Sequence, residues 1–292
     1  MAEPIRLNCQ GMSRRCKSLM SCIIARPGHV IVSSDMSAGE PTVTAHYSKD
    51  VNYLLATRNM VGKEPYYDAE SMLVISDIYL MVASRAPMWA GTIRKAFDDT
   101  YDGLTFGQMW VNDSDYIAKK VLKDVRNVSK TLSLALAYGV GPKKMVMIAT
   151  QAGYDLTLQQ ARDFFKIYWD TFPNIKKLGD KWADTYRAQG YIQTEFGYAL
   201  YPSEDYKVMN AVIQSTVSGI ISWMCQRVFE KNPWMGFQLI LHDEVIFEVS
   251  EDRLEEAKAI YFKAVEDLNK ELGWSVPIQF GWKEGRNWYE SK

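Results

Sequence analysis

The feature that most constrains this chain lies at residues 237–249, where Leu239-Ile240-Leu241 and Val245-Ile246-Phe247 flank the acidic run His242-Asp243-Glu244. Two apolar segments joined by a tight polar turn predict a β-hairpin. Acids are common in such turns, and a solvated turn is the ordinary reading. Here the apolar flanks bury the ends of the turn. A carboxylate pressed against a core is costly unless a metal or another cation compensates it. Asp243 and Glu244 are therefore candidate cation-binding groups.

A second strand is predicted over Val30 to Ser34, after the turn signal Pro27-Gly28. It runs into Asp35-Met36-Ser37-Ala38-Gly39, and Glu40-Pro41 then opens a helix with proline in the first turn. Taken alone, Asp35 reads equally as a loop residue or a helix cap.

The third constellation is Arg126, Lys130, Leu134 and Tyr138. A spacing of four drifts slowly around a helix, so these residues share one broad face. Arg and Lys one turn apart can clamp phosphate, since both are cationic donors; a solvated basic face is the alternative. The following Gly139-Val140-Gly141-Pro142-Lys143 lacks P-loop spacing and follows a helix, not a strand.

With 292 residues, 47% of them apolar and 24% charged, the chain is long enough for one large domain or two. Its net charge of −1, from 34 basic and 35 acidic residues, gives no overall attraction to nucleic acid, so any such surface must be local. Of the four cysteines none forms a C-x-x-C pair, and Cys9, Cys16, Cys22 and His29 match no common zinc spacing; reduced thiols of a cytosolic protein are the reading adopted. MAEPIRLNCQ lacks the apolar region of a signal peptide, and the apolar stretch Val208 to Phe229 carries Asn210, Gln214, Gln226 and Arg227, which reads as a buried helix, not a membrane span.

Residues 51–125 read as mostly helical, with an irregular, aromatic-rich insert at 86–115. A long helix is expected over 115–138, helices over 157–189 with a break at Phe172-Pro173, a hairpin around Gly197, a helix over 206–230 and a charged helix over 251–272. Strands near both ends with helices between them predict an α+β fold with a large helical insertion. Together the three constellations suggest two carboxylates holding two metal ions, and a basic helix face holding departing phosphates.

The order and wording of these motifs resemble the family A, polymerase I-like DNA polymerases. Asp35-Met36-Ser37-Ala38-Gly39-Glu40 with Ala45-His46-Tyr47-Ser48 resembles their motif A, Arg126 to Gly139 their motif B, and His242-Asp243-Glu244 with the following strand their motif C. Asn210-x-x-x-Gln214 is similar to the palm helix facing the primer–template, and Gly285-Arg286-Asn287-Trp288 to the family's ending.

The resemblance implies an α+β polymerase palm with a helical fingers insertion: palm in 1–50, fingers in 51–200 and palm again in 201–292. It implies DNA-directed addition of dNTPs to a primer 3′-OH with two Mg²⁺ ions, Mn²⁺ being able to substitute. Asp35, Asp243 and the Met36 carbonyl would be metal ligands, supported by Glu244 as a secondary carboxylate. Arg126 and Lys130 would contact the triphosphate, with Lys130 also a candidate acid for pyrophosphate. Glu40 would be the steric gate against a ribose 2′-OH, and Leu134 would pack near the sugar. Tyr138 would lie by the templating pair and His242 by the primer terminus, while Asn210 and Gln214 would face the minor groove.

The sequence departs from the pattern in places. Leu134 stands where the family has Phe or Tyr, Tyr206 where Arg is expected, and Gly197-Tyr198-Ala199 lacks the usual paired arginines. The chain begins where the family's palm is already under way, which suggests a split phage-type enzyme. A second polypeptide would then supply the thumb and a 3′–5′ exonuclease, and the setting would be the bacterial cytoplasm. Two alternatives are a single-subunit RNA polymerase fragment, disfavoured by Glu40 and Glu244, and a non-catalytic DNA-binding subunit, disfavoured by the intact motif acids.

Overall fold

The computed structural model describes residues 17–62, 67–68, 73–74, 78–101 and 122–292. In chain order its main elements are α1 (Lys17–Ser21), β1 (His29–Asp35), α2 (Gly39–Ser48), α3 (Val51–Gly62), β2 (Tyr67–Asp68), β3 (Leu73–Val74), α4 (Ile78–Arg85) and α5 (Pro87–Tyr101). There follow α6 (Lys123–Ala137), α7 (Pro142–Gln151), α8 (Leu158–Thr171), α9 (Pro173–Gln189), β4 (Ile192–Gln193), β5 (Ala199–Leu200), α10 (Val208–Phe229), β6 (Gly236–Leu241), β7 (Glu244–Ser250), α11 (Leu254–Leu272) and β8 (Lys283–Gly285). The described residues divide into two compact units: those within 1–39, 216–274 and 278–292 form one, and those within 40–215 and 275–277 form the other.

The first unit is built on a four-stranded sheet of order β6-β7-β1-β8. The β-branched run Val30-Ile31-Val32 suits a pleated, buried strand. β1 pairs antiparallel with β7 from His29↔Ser250 to Asp35↔Glu244, and with β8 at Ile31↔Gly285, Val32↔Glu284 and Ser33↔Lys283. Alternation sends Ile31, Ser33 and Asp35 to one face and Val30, Val32 and Ser34 to the other. On the first face Ile31 and Ile246 pack with Met20 and Trp288. On the second, Phe247 stacks on Tyr261 of α11 with centroids 5.7 Å apart. α11 buries Ala257, Tyr261, Val265 and Leu268, one stripe of an amphipathic helix, and ends at Gly273 in the left-handed region. Gly285 is required by close approach: a Cβ there would meet the Ser291 amide nitrogen at 2.5 Å, where the chain folds back to bury Trp288.

The second unit is mostly helical. α4 has no polar stripe; every residue from Ile78 to Ser84 is buried. α8 starts with a capping box between Thr157 and Gln160. It stops at Phe172 because Pro173 starts α9 at a first-turn position. Buried Asp50 accepts from the backbone N–H groups of Tyr53 (3.1 Å) and Asn174 (3.0 Å), satisfying orphan donors of two helices at once. The β4–β5 hairpin turns at Gly197 and packs Ile192 against Val208 and Val212.

Several expectations need correction. The first half of the 86–115 segment is not irregular: it forms α5, whose buried Trp89, Ile93 and Phe97 recur every four residues. Residues 102–115 of that segment lie outside the described residues. Of the helix expected over 115–138, residues 115–121 lie outside the described residues, and the described part is α6, which starts at Lys123. Glu244, read as part of the turn, is the first residue of β7, which leaves His242-Asp243 as the two-residue turn. Of the first three cysteines, Cys9 and Cys16 lie outside the described residues, and Cys22 is a free, exposed thiol. The buried helix expected over Val208 to Phe229 is α10, and 56% of its most apolar window is buried within the protein.

Candidate active site

In the first unit, strand register brings Asp35 and Asp243 together. Asp35 is the last residue of β1, and its antiparallel partner is Glu244, the residue after Asp243. The Met36 N–H donates to the Asp243 carbonyl at 2.9 Å. On the other side the Gly281 N–H donates to the Asp35 carbonyl and the Ser37 N–H to the Gln279 carbonyl, each at 2.8 Å. The motif is thus strapped from both sides through its backbone. This leaves the Asp35 side chain exposed and that of Asp243 half-buried, while Met36 packs its own side chain inside.

Backbone strain marks the same corner. His242 has φ 58°, and Ala38, three residues after Asp35, has φ 49°. Such values cost an L-residue about 1–2 kcal/mol and persist where the surroundings over-determine them. Glu244 is buried at 2% exposure; Ser33 Oγ donates to its carboxylate, and the Lys292 ammonium pairs with it. Asp35 and Glu244 both line a cavity of about 470 Å³ with Ser33, Ser37, Lys283 and Lys292.

Among the described residues, no cluster of three or more His, Cys, Asp or Glu is arranged to hold a metal. The donor set at the strand end is two hard carboxylates with nearby backbone carbonyls. That suits Mg²⁺, which takes one or two carboxylates, keeps waters and completes its shell on substrate phosphates.

In the second unit, Glu40, Leu134, Tyr138 and Asn210 line one small cavity of about 30 Å³. Tyr138 Oη donates to Glu40 Oε1 at 3.2 Å, and the Gln214 side-chain amide donates to Tyr138 Oη at 3.3 Å. Burial first, and the Glu40 carboxylate second, push the Tyr138 phenol pKa up. Gly139, at φ 75°, lets the chain leave α6 against Tyr206, whose ring would lie 2.9 Å from an added Cβ.

Arg126 and Lys130 sit one turn apart on α6, and both place their cations over the Tyr79 ring, at 5.5 and 5.8 Å from its centroid. The Tyr79 carbonyl also accepts from Ser129 Oγ at 2.7 Å, pinning α4 to α6. Sequence reading missed Tyr79, because in a uniformly apolar helix no period sets it apart. Of the residues predicted from four separate segments, Asp35, Met36, His242, Asp243 and Glu244 lie in one unit and Glu40, Arg126, Lys130, Leu134, Tyr138, Asn210 and Gln214 in the other.

An antiparallel sheet with paired acids at its strand ends, joined in sequence to a largely helical unit, is the α+β architecture of a polymerase palm with a fingers insertion. The profile of DNA polymerase family A matches residues 92–290, and the chain belongs to that family. It is 22% identical to the DNA polymerase of Escherichia phage T5 over a 302-residue alignment, covering 93% of this chain and 31% of that protein. It is 26% identical over 182 residues to the thermostable DNA polymerase I of Thermus filiformis, covering 58% of this chain and 21% of that one. Among solved structures, the POL domain of Pol1 from M. smegmatis, in complex with DNA primer-template and dNTP, is similar with a TM-score of 0.69 and 21% identity. That match covers 97% of this chain and 45% of the other. The chain thus spans between about a fifth and a third of the length of these two curated relatives.

Proposed function

We propose that this chain carries the catalytic centre of a DNA-directed DNA polymerase, extending a primer 3′-OH with dNTPs by two-metal phosphoryl transfer. The observation that supports the reading most is the Met36–Asp243 backbone hydrogen bond, which sets two aspartates of a family A chain side by side. In this reading Asp35, Asp243 and the Met36 carbonyl hold two Mg²⁺ ions, with Glu244 as a supporting carboxylate. Bound there, the ions would make the 3′-OH more nucleophilic and neutralise charge on the triphosphate.

The remaining roles fall to the chain's own side chains. Arg126 and Lys130 donate to the β- and γ-phosphates. As the 3′-OH gives up its proton to water and its oxygen bonds to the α-phosphorus, the bond to the bridging oxygen breaks and Lys130 delivers a proton to the leaving pyrophosphate. Glu40, fixed by Tyr138 and Gln214, excludes a ribose 2′-OH. Tyr138 abuts the templating pair, Leu134 the sugar and His242 the primer terminus, while Asn210 and Gln214 read the minor groove. Residues 1–50 and 201–292 are assigned to the palm and residues 51–200 to the fingers.

The test is Mg²⁺-dependent primer extension by the chain, using dNTPs and rNTPs in parallel. Extension with dNTPs supports the reading. DNA binding without extension favours a non-catalytic subunit, and a preference for rNTPs an RNA polymerase.

A further inference from the structure

Residues directly opposed in an antiparallel pair point to the same sheet face, so Glu244 shares a face with its partner Asp35. Asp35, Asp243 and Glu244 thus arise from neighbouring backbone positions, and left to themselves would place three negative charges at one corner of the sheet. Glu244 is set apart from the other two by its partners. Ser33 lies two residues before Asp35 on the same face, and its hydroxyl donates to Glu244 Oε1. The Lys292 ammonium takes Oε2.

Lys292 is itself held. Its ammonium lies 5.2 Å from the centroid of the Trp288 ring, which is buried at 1% exposure. Its main-chain oxygen accepts from the Lys283 ammonium. Lys283 is the β8 partner of Ser33, so both contacts on Glu244 trace back to one point in the sheet. Burying a carboxylate against such an arrangement, with both oxygens occupied, cancels its charge where it stands.

We propose that Ser33 and Lys292 are positioning residues that hold Glu244 as a charge-neutral pair, so that this supporting carboxylate stands beside the site without adding its charge, and Asp35 and Asp243 set the site's affinity for divalent cations. This rests on the reading that Asp35 and Asp243 hold the metal ions. A third full charge a few ångströms from a divalent ion would tighten binding; the neutral pair keeps the site moderate.

The probe is Mn²⁺, titrated into the full chain without DNA or nucleotide and followed by the loss of the free-ion electron paramagnetic resonance signal. Lys292→Met is expected to bind Mn²⁺ about tenfold more tightly. Adding Glu244→Gln to it is expected to return affinity to the wild-type value, and Lys292→Arg to preserve it. Should Lys292→Met fail to fold by circular dichroism, Ser33→Ala, which removes one of the two contacts, is expected to tighten binding about threefold. Unchanged affinity in the folded variant overturns the proposal. So does tightening that survives Glu244→Gln, since it would then come from the lost lysine charge alone. Wild-type binding that is indifferent to Asp35→Asn with Asp243→Asn overturns the metal reading and this proposal together. Binding that needs both aspartates but ignores Lys292 overturns this proposal only.

Discussion

The Met36 N–H donates to the Asp243 carbonyl at 2.9 Å, so the two candidate metal ligands are joined through main chain and not through their own side chains. Replacing either carboxylate leaves that bond in place. Asp35→Asn and Asp243→Asn are therefore expected to melt within about 2 °C of the wild type, a surface-type cost below ~0.5 kcal/mol, while Mg²⁺-dependent extension is lost. An active Asp243→Asn enzyme would rule out the two-metal assignment.

Glu40 is held in place by Tyr138 Oη at 3.2 Å and the Gln214 amide at 3.5 Å. Glu40→Ala is expected to raise the ratio of rNTP to dNTP incorporation, measured by competitive primer extension. It is also expected to lower the Tyr138 pKa, since the Glu40 charge adds to burial in raising it. An unchanged incorporation ratio would count against the gate.

Leu134 lines the same cavity as Glu40 and Tyr138. Leu134→Tyr is expected to increase dideoxynucleotide uptake. With so little free space, the larger ring is also expected to cost about 1–3 kcal/mol of stability. Unchanged selectivity in a stable variant would mean that Leu134 does not face the nucleotide sugar.

His242 holds φ 58° in the hairpin turn, a conformation that glycine adopts without penalty. His242→Gly is expected to gain about 1 kcal/mol by chemical denaturation while weakening primer extension, because the imidazole is lost. A destabilised variant would show that the imidazole's contacts outweigh the strain.

Glu248 accepts from the Arg26 backbone N–H and from its guanidinium, both at 2.6 Å. Burial pushes its carboxyl pKa up, but these Arg26 hydrogen bonds and the Arg26 charge outweigh it and bring the pKa below its ordinary value of 4.5. A depressed carboxyl contributes stability that is present above that value and lost as pH falls through the folded one. The stability gap between wild type and Glu248→Gln is expected to be widest near neutral pH and to close on acidification below 4.5. A gap that widened in acid would reverse the sign.

The strand ends were legible because apolar runs stop abruptly at acids, and Arg126, Lys130, Leu134 and Tyr138 because their spacing of four is a helical period. α5 was not, since its tryptophan, isoleucine and phenylalanine are diluted by Gly91, Asp98 and Asp99. The partnership of Ser33 and Lys292 with Glu244 left no local trace. It depends on the pairing of β1 with β7 and β8, which no window of sequence contains. Tyr79 stayed hidden because its helix is apolar on every side.

The sheet order β6-β7-β1-β8 has a consequence for biogenesis. β1 is made before residues 40–215 of the helical unit, and both strands that flank it only after them. Until then the β1 edge is an open template carrying Val30, Ile31 and Val32, a sticky strand waiting for its neighbours. Asp35 and Asp243 cannot meet before the β6–β7 hairpin emerges, so a nascent chain lacks the paired-acid corner. Translation itself thus delays the assembly of that corner until the hairpin has been made.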